Sequence, residues 1–207
     1  MGTRRRTGAA LRALATVMVG IAATTAPVAA SPAYAGEGSY HCGILVYGAI
    51  EDRYLQAGAQ NGPLGCPNGT ETDAAGGGRW ESFRGGDIYW HPRTGAHIVW
   101  GAIRDKWTQY GRERGYGFPL TDELTTPDGV GRYNHFERGS IYWTPATGAH
   151  TVYGGIRERW AAMGWERSCL RYPVSDETDT PGGGGRYQMF QGGSMYWTPA
   201  GGAQPTC

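Results

Sequence analysis

Three kinds of side chain recur in this 207-residue chain at a spacing that invites chemistry. Glu71, Glu123 and Glu177 each follow a proline, Pro67, Pro119 or Pro173. Arg79, Arg132 and Arg186 come next, and then the ring pairs Tyr89-Trp90, Tyr142-Trp143 and Tyr196-Trp197. The rings are the better candidates for a carbohydrate contact, because a sugar's C–H face packs on a ring that keeps a polar tip. The same carboxylates bring a glycosidase to mind, but that chemistry needs two carboxyls at a set distance across one bond. A glutamate once per repeat reads more simply as an acid binding backbone N–H groups in its own turn. The arginines have a simple reading too, as ion-pair partners of those glutamates; the functional reading has them donate to a sugar or a phosphate. No Gly-x-Ser-x-Gly elbow is present. His97 and His150 occupy one repeated position at the start of a strand, where a structural role is expected. Catalysis is therefore not expected.

The elements that position these groups are repeated. The tyrosines of the three ring pairs lie 53 and 54 residues apart, the mark of tandem modules. Each module opens on a helical pattern: GAIEDRYLQAG from Gly48, GAIRDKWTQYG from Gly101 and GGIRERWAAMG from Gly154. Ile103, Trp107 and Tyr110 fall on one helical face, and a glycine eight residues after the isoleucine (Gly58, Gly111, Gly164) suits the left-handed residue that ends a helix. Helices this short are marginal alone and must pack on something. A loop follows, stopped by the proline, in which Thr121 or Ser175 can accept a backbone hydrogen bond. Two strands joined by a hairpin come next, GRYNHF and SIYWT in the second module, with Gly86, Gly139 and Gly193 in the turn, where positive φ is the expected reason for glycine. His97–Trp100 and His150–Tyr153 read as a third strand. Strand side chains alternate, so Tyr142 and Trp143 point to opposite faces. For any single ring, burial in the core is the simpler reading; a binding role needs one ring per repeat exposed.

The third module breaks the pattern. After Gly202 the chain reads AQPTC, with a proline where an apolar strand belongs. Ile44-Leu45-Val46-Tyr47, ahead of the first helix, aligns with the missing strand. Two arrangements fit. Either this segment closes the last sheet and joins the chain ends, bringing Val46 near Tyr196, or it caps the first module of an open row.

Residues 1–35 have the form of a secretory signal: Arg4, Arg5, Arg6 and Arg12, an apolar Leu14–Ala30, and Ala33-Tyr34-Ala35 before Gly36. The apolar residues that a twin-arginine route expects just after the arginines are missing, which favours the general route. Removing the segment takes four of 19 basic residues and no acidic ones, leaving 15 against 18 and a net charge of −3. That balance argues against nucleic acid as a partner, and no later stretch is long and apolar enough to span a bilayer. Four cysteines in an exported chain read as two disulfides. Of three pairings, Cys42–Cys66 with Cys169–Cys207 is favoured, because each would staple a terminal repeat at roughly 3 kcal/mol. No Cys-x-x-Cys is present and no histidine clusters with the cysteines, so neither a metal nor a cofactor is expected.

With YGFPLTDE, PDGVGRYNHFERGSIYWTPATGAH and GAIRDKW in view, the chain resembles the LGFP repeat family over Gly43 to Gln204, as three copies. The resemblance implies a secreted actinobacterial protein. Such repeats often accompany a mycolyltransferase or a peptidoglycan amidase domain and hold it on the wall, through wall polysaccharide. The tetrapeptide departs from the family pattern at Leu64-Gly65-Cys66-Pro67 and at Leu170-Arg171-Tyr172-Pro173, where Cys66 replaces the aromatic and Arg171 the glycine. The first module also lacks the aspartate that Asp122 and Asp176 supply, which leaves the second as the best candidate for binding.

The expectation is an α+β chain: a signal over 1–35, then a repeat domain over 36–207 with modules 48–100, 101–153 and 154–207. Its expected function is non-catalytic attachment to wall polysaccharide, arabinogalactan or peptidoglycan, as a secreted, wall-associated protein with no membrane contact after signal cleavage. The candidate ligand-binding residues are Tyr89, Trp90, Tyr142, Trp143, Tyr196, Trp197, Arg132 and Asp122. Shallow contacts repeated on a rigid frame would gain avidity on a repeating polymer. The alternatives are a protein-interaction module serving a separate wall enzyme, and a hydrolase with an unfamiliar site.

Overall fold

A computed structural model describes residues 1–2 and 38–207. Apart from Met1 and Gly2, the signal-like segment lies outside the described residues. The chain from Ser39 opens with a small hairpin, β1 (Ser39–His41) and β2 (Ile44–Val46), and runs into helix α1 (Gly48–Gln56). The first sheet follows: β3 (Thr72–Asp73), β4 (Arg79–Phe83), β5 (Gly86–His91) and β6 (Gly95–Trp100). The second repeat has α2 (Gly101–Gln109), a single turn α3 (Arg112–Gly115), β7 (Leu124–Thr125), β8 (Arg132–Phe136), β9 (Gly139–Thr144) and β10 (Gly148–Tyr153). The third has α4 (Gly154–Ala162), β11 (Thr178–Asp179), β12 (Arg186–Phe190), β13 (Gly193–Thr198) and β14 (Gly202–Pro205). Each repeat thus carries one four-stranded antiparallel sheet in simple meander order, and the fold is α+β with strand predominating.

The helices form where the spacing placed them. Gly58, Gly111 and Gly164 take left-handed φ of 92°, 83° and 95° just past each helix, a conformation in which a side chain would clash. Of the hairpin glycines, Gly193 takes a positive φ of 155° as expected, but the other two have a different cause. Gly86 and Gly139 do not adopt positive φ. A Cβ on Gly86 would lie 2.8 Å from the Trp100 Cβ, and one on Gly139 2.6 Å from the Tyr116 ring, so close approach selects glycine there.

One ring in each helix holds the row together. Trp107 of α2 meets Tyr89 of the preceding sheet edge-on at 4.6 Å and stacks on Phe136 of its own sheet at 5.2 Å. Trp160 of α4 does the same with Tyr142 at 4.7 Å and Phe190 at 5.4 Å. Each helix is therefore sandwiched between two sheets, and the first two sheets bury both faces. A fully buried ring of this size removes about 200 Å² from water, about 5 kcal/mol before the entropy of ordering it.

The ends of the row are treated differently. At the N-terminus, β1–β2 is half a sheet standing where a preceding repeat would be. His41 pairs with Ile44 as Tyr89 pairs with His97, and its ring meets Tyr54 of α1 at 5.0 Å. Val46 lies in the first repeat's core with Ile50, Tyr54 and Leu64. Closure of the ring does not occur. The third sheet is completed by β14, in spite of Pro205. Thr206 N–H donates to the Ser194 carbonyl, and because alternate residues of an edge strand face outward, the Pro205 nitrogen points to the open edge, where no donor is needed. Both expected disulfides are present, Cys42–Cys66 tying the first hairpin to the repeat-one loop and Cys169–Cys207 tying the chain end after β14 to the repeat-three loop.

Candidate functional site: an aromatic pocket on the second repeat

The ring pairs divide by depth. Tyr89 and Tyr142 are 1% and 2% exposed, because the next repeat's helix covers them. Both are core residues, a place that does not suit the ligand contact expected of them, although Tyr89 also lines an open cleft with Trp80 and Arg112. Tyr196 is 44% exposed and stacks on Tyr187. Trp90, Trp143 and Trp197 are half-buried on the opposite face, each against its own repeat's helix layer. Trp197 packs so closely on Gly155 that a Cβ there would sit 2.5 Å from the indole.

Asp122 is also structural. It accepts the Ile98 amide at 2.7 Å and an ion pair from Arg53 at 2.7 Å, both from the first repeat. Burial works to raise its carboxyl, but the His97 ring, Arg53 and the Ile98 amide outweigh that and hold it well below the usual carboxylate range. Asp176 makes the same joint one repeat later, with the Thr151 amide and Lys106. Asp122 thus pins the second repeat to the first, a structural role beside the ligand contact expected of it. Thr121 and Ser175 do accept backbone amides, those of His135 and Met189 on the adjoining strand.

Trp143 and Arg132 share a different environment. They are directly paired across β8 and β9 and, with Trp100, Glu123 and the start of α2, line a pocket of about 260 Å³. Its openness has a local cause. In the first repeat Arg79 is clamped by Glu71 and Asp73, and in the third Arg186 is clamped by Glu177 at 2.8 Å, Asp179 at 2.7 Å and the Tyr153 hydroxyl at 2.5 Å. In the second repeat the aspartate position is Thr125 and the tyrosine position is Trp100. The Trp100 indole takes up Glu123, whose carboxyl burial pushes upward against the pull of that hydrogen bond and the Arg132 charge. Arg132 donates to the Gly131 carbonyl, and among the described residues no carboxylate lies within ion-pair distance of it. The expected internal ion pair therefore forms in repeats one and three, while the second repeat presents a guanidinium, a carboxylate and two indoles around one opening.

A model of the LGFP repeat matches the chain three times, over residues 64–115, 117–168 and 170–206. The chain belongs to the LGFP repeat family. LGFP repeats are typical of secreted, cell-surface proteins. No curated protein matches the chain. The first two matches each run from a loop through a sheet into the next helix, and the third runs from a loop through the sheet to the end of β14.

Of the eight candidate residues, the structure brings Trp143 and Arg132 together and separates them from Tyr89, Tyr142 and Asp122. Trp100 was not singled out from the sequence. The signal was present in the alignment of the repeats: Tyr47, Trp100 and Tyr153 at one position, Asp73, Thr125 and Asp179 at another. The second repeat alone carries both changes.

Proposed function

We propose that this LGFP protein is a non-catalytic module that attaches to cell-wall polysaccharide, arabinogalactan or peptidoglycan, through the pocket on its second repeat. The observation that carries this reading is an unclamped Arg132 beside the half-exposed Trp143 ring and Glu123. A sugar ring stacked on the indole would find donors in the guanidinium and an acceptor in the carboxylate. The reading is non-catalytic because a single carboxylate, Glu123, lines the pocket, whereas glycoside hydrolysis works with a pair. The repeats are not equivalent, so affinity rests on this pocket more than on three like contacts.

The test is retention on purified cell wall, with and without soluble arabinogalactan or soluble peptidoglycan fragments as competitor. The wild-type protein should be retained and released by one of them. Arg132→Ala should lose retention by about tenfold or more, the scale of one charge-assisted hydrogen bond, with little change in melting temperature. Retention that neither competitor disturbs would sink the reading and point to a protein partner, such as a separate secreted wall enzyme.

A further inference from the structure

A larger cavity lies at the seam between repeats two and three, with a volume of about 430 Å³. Its cause emerges from comparison with the seam before it. Between repeats one and two, Glu113 reaches back and accepts the Ala75 amide at 3.3 Å. Glu166 is the same residue one repeat on, each being the second residue after a left-handed glycine. The turn it faces starts in the same way and is one residue longer. Ala74 and Thr126 both donate their amides to the glycine that closes the turn, so Pro127 stands where Ala75 stood. Proline has no N–H to give. Glu166 is 6% exposed, and its Oε1 has no hydrogen-bond partner. A buried acceptor without a partner is uncommon, and the residue that carries it lines the cavity.

A second departure from the pattern adorns the same cavity. Arg171 stands where the other repeats carry Gly65 and Gly117, and it is held at φ 58°, among backbone angles that favour glycine. Such a conformation persists only where the surrounding structure over-determines it. Arg171 is exposed at the mouth, along with Arg167 and Gln191. Asp128 also lines the cavity, but its Oδ1 is occupied by the Val130 amide and the Thr126 and Tyr172 hydroxyls. Two guanidiniums thus balance two carboxylates, and the volume falls within the range of small-ligand sites, about 300–1,000 Å³.

We propose that this seam cavity is a second sugar subsite, taking a neutral, hydroxyl-bearing sugar residue. One hydroxyl donates to the Glu166 carboxylate, and Arg171 and Gln191 donate to the sugar's oxygens. The balance of charge gives an ammonium or carboxylate ligand no net attraction, and the Glu166 carboxylate offers an acceptor to a ligand hydroxyl. The source of the sugar rests on the wall-polysaccharide reading above.

The test uses two substitutions that return the seam to the pattern of its sister repeats. Pro127→Ala restores the amide and gives Glu166 an internal partner. Arg171→Gly relieves the backbone and removes the mouth donor. Each should melt no lower than wild type, yet bind soluble arabinogalactan or peptidoglycan fragments about tenfold or more weakly by calorimetric titration, the loss of one hydrogen bond to a charged group. If both variants bind as wild type while Arg132→Ala has lost affinity, the seam subsite is refuted and the attachment reading survives. If the wild-type protein binds neither polymer, both are overturned.

Discussion

Glu81, Asn134 and Gln188 occupy one buried position in the three repeats, and they are not equally suited to it. The Asn134 amide donates to the Ile98 and Thr121 carbonyls, and the Gln188 amide to those of Thr151 and Ser175. Each therefore ties a repeat to the strand before it. Glu81 is 1% exposed, and neither of its oxygens has a partner. Burial, with the nearby charges of Glu71 and Glu51, pushes its carboxyl up to about 8. Its unfolded value is about 4.3. The folded state thus holds the proton more tightly, so this group's stabilising contribution is full below about pH 4, declines as pH rises and is gone above about pH 8. Glu81→Gln should supply the amide that the sister repeats use. We expect it to raise unfolding free energy by about 2 kcal/mol or more at about pH 8, and to flatten the pH dependence between about 5 and 8. Urea titrations at the two ends of that range check it. An unchanged slope would mean that Glu81 does not titrate there.

At the scale of elements, the parts with their own periodicity were legible in the sequence and the parts defined by a neighbour were not. Ile103 and Trp107 at helical spacing, with Gly111 behind them, specify α2, and both side chains are buried; Tyr110 falls past the last full turn and is 38% exposed. Alternation placed Tyr142 and Trp143 on opposite faces of β9. It did not reveal that α4 would cover the tyrosine's face, because a helix's apolar stripe does not name the sheet it meets. The two-residue strands β3, β7 and β11 form by pairing with the strand that follows, and two residues are too few to carry an alternation signal. The N-terminal cap was ambiguous for a similar reason. An apolar Val46 suits either end of the row, and the decision lay in which way the Pro205 nitrogen faces. The open pocket was readable only by noticing two differences between copies, Thr125 and Trp100. β14 depends on its staple: it is an edge strand whose far end is held by Thr206–Ser194 bonds and by Cys169–Cys207. Replacing both cysteines with alanine should cost about 3–4 kcal/mol, the loop-closure entropy for a separation of 38 residues. It should also speed amide exchange at the Ser194 N–H, whose Thr206 acceptor loses its anchor, while exchange in β5 stays as it was. Equal exchange in oxidised and alanine forms would show that the strand holds without the bond.

Across the molecule, the repeats are joined twice at each seam, once by packing and once by charge. Trp107 and Trp160 each belong to two repeats' cores at once. Asp122 and Asp176 each bind a backbone amide of the repeat before and a cation on that repeat's helix, Arg53 or Lys106. In a row of modules, stability is roughly a sum of weak intrinsic terms and strong nearest-neighbour terms, so the joints decide whether the row melts as one body. Burial works to raise both carboxyls, but the histidine, cation and amide partners hold them below the ordinary range. A depressed folded value means the joints contribute in full above the unfolded value of about 4 and fail as pH falls through the folded one. Neutral protein should therefore unfold on heating in one transition, with calorimetric and van't Hoff enthalpies equal. Asp122→Ala combined with Asp176→Ala leaves two amides and two cations without their partners, at about 1–3 kcal/mol each for the buried groups. The expected trace is broadened or split, with a calorimetric enthalpy exceeding the van't Hoff value, and wild type in strong acid should move the same way. If the double variant merely melts earlier while the two enthalpies stay equal, the tryptophan contacts alone carry the coupling and the aspartate joints do not.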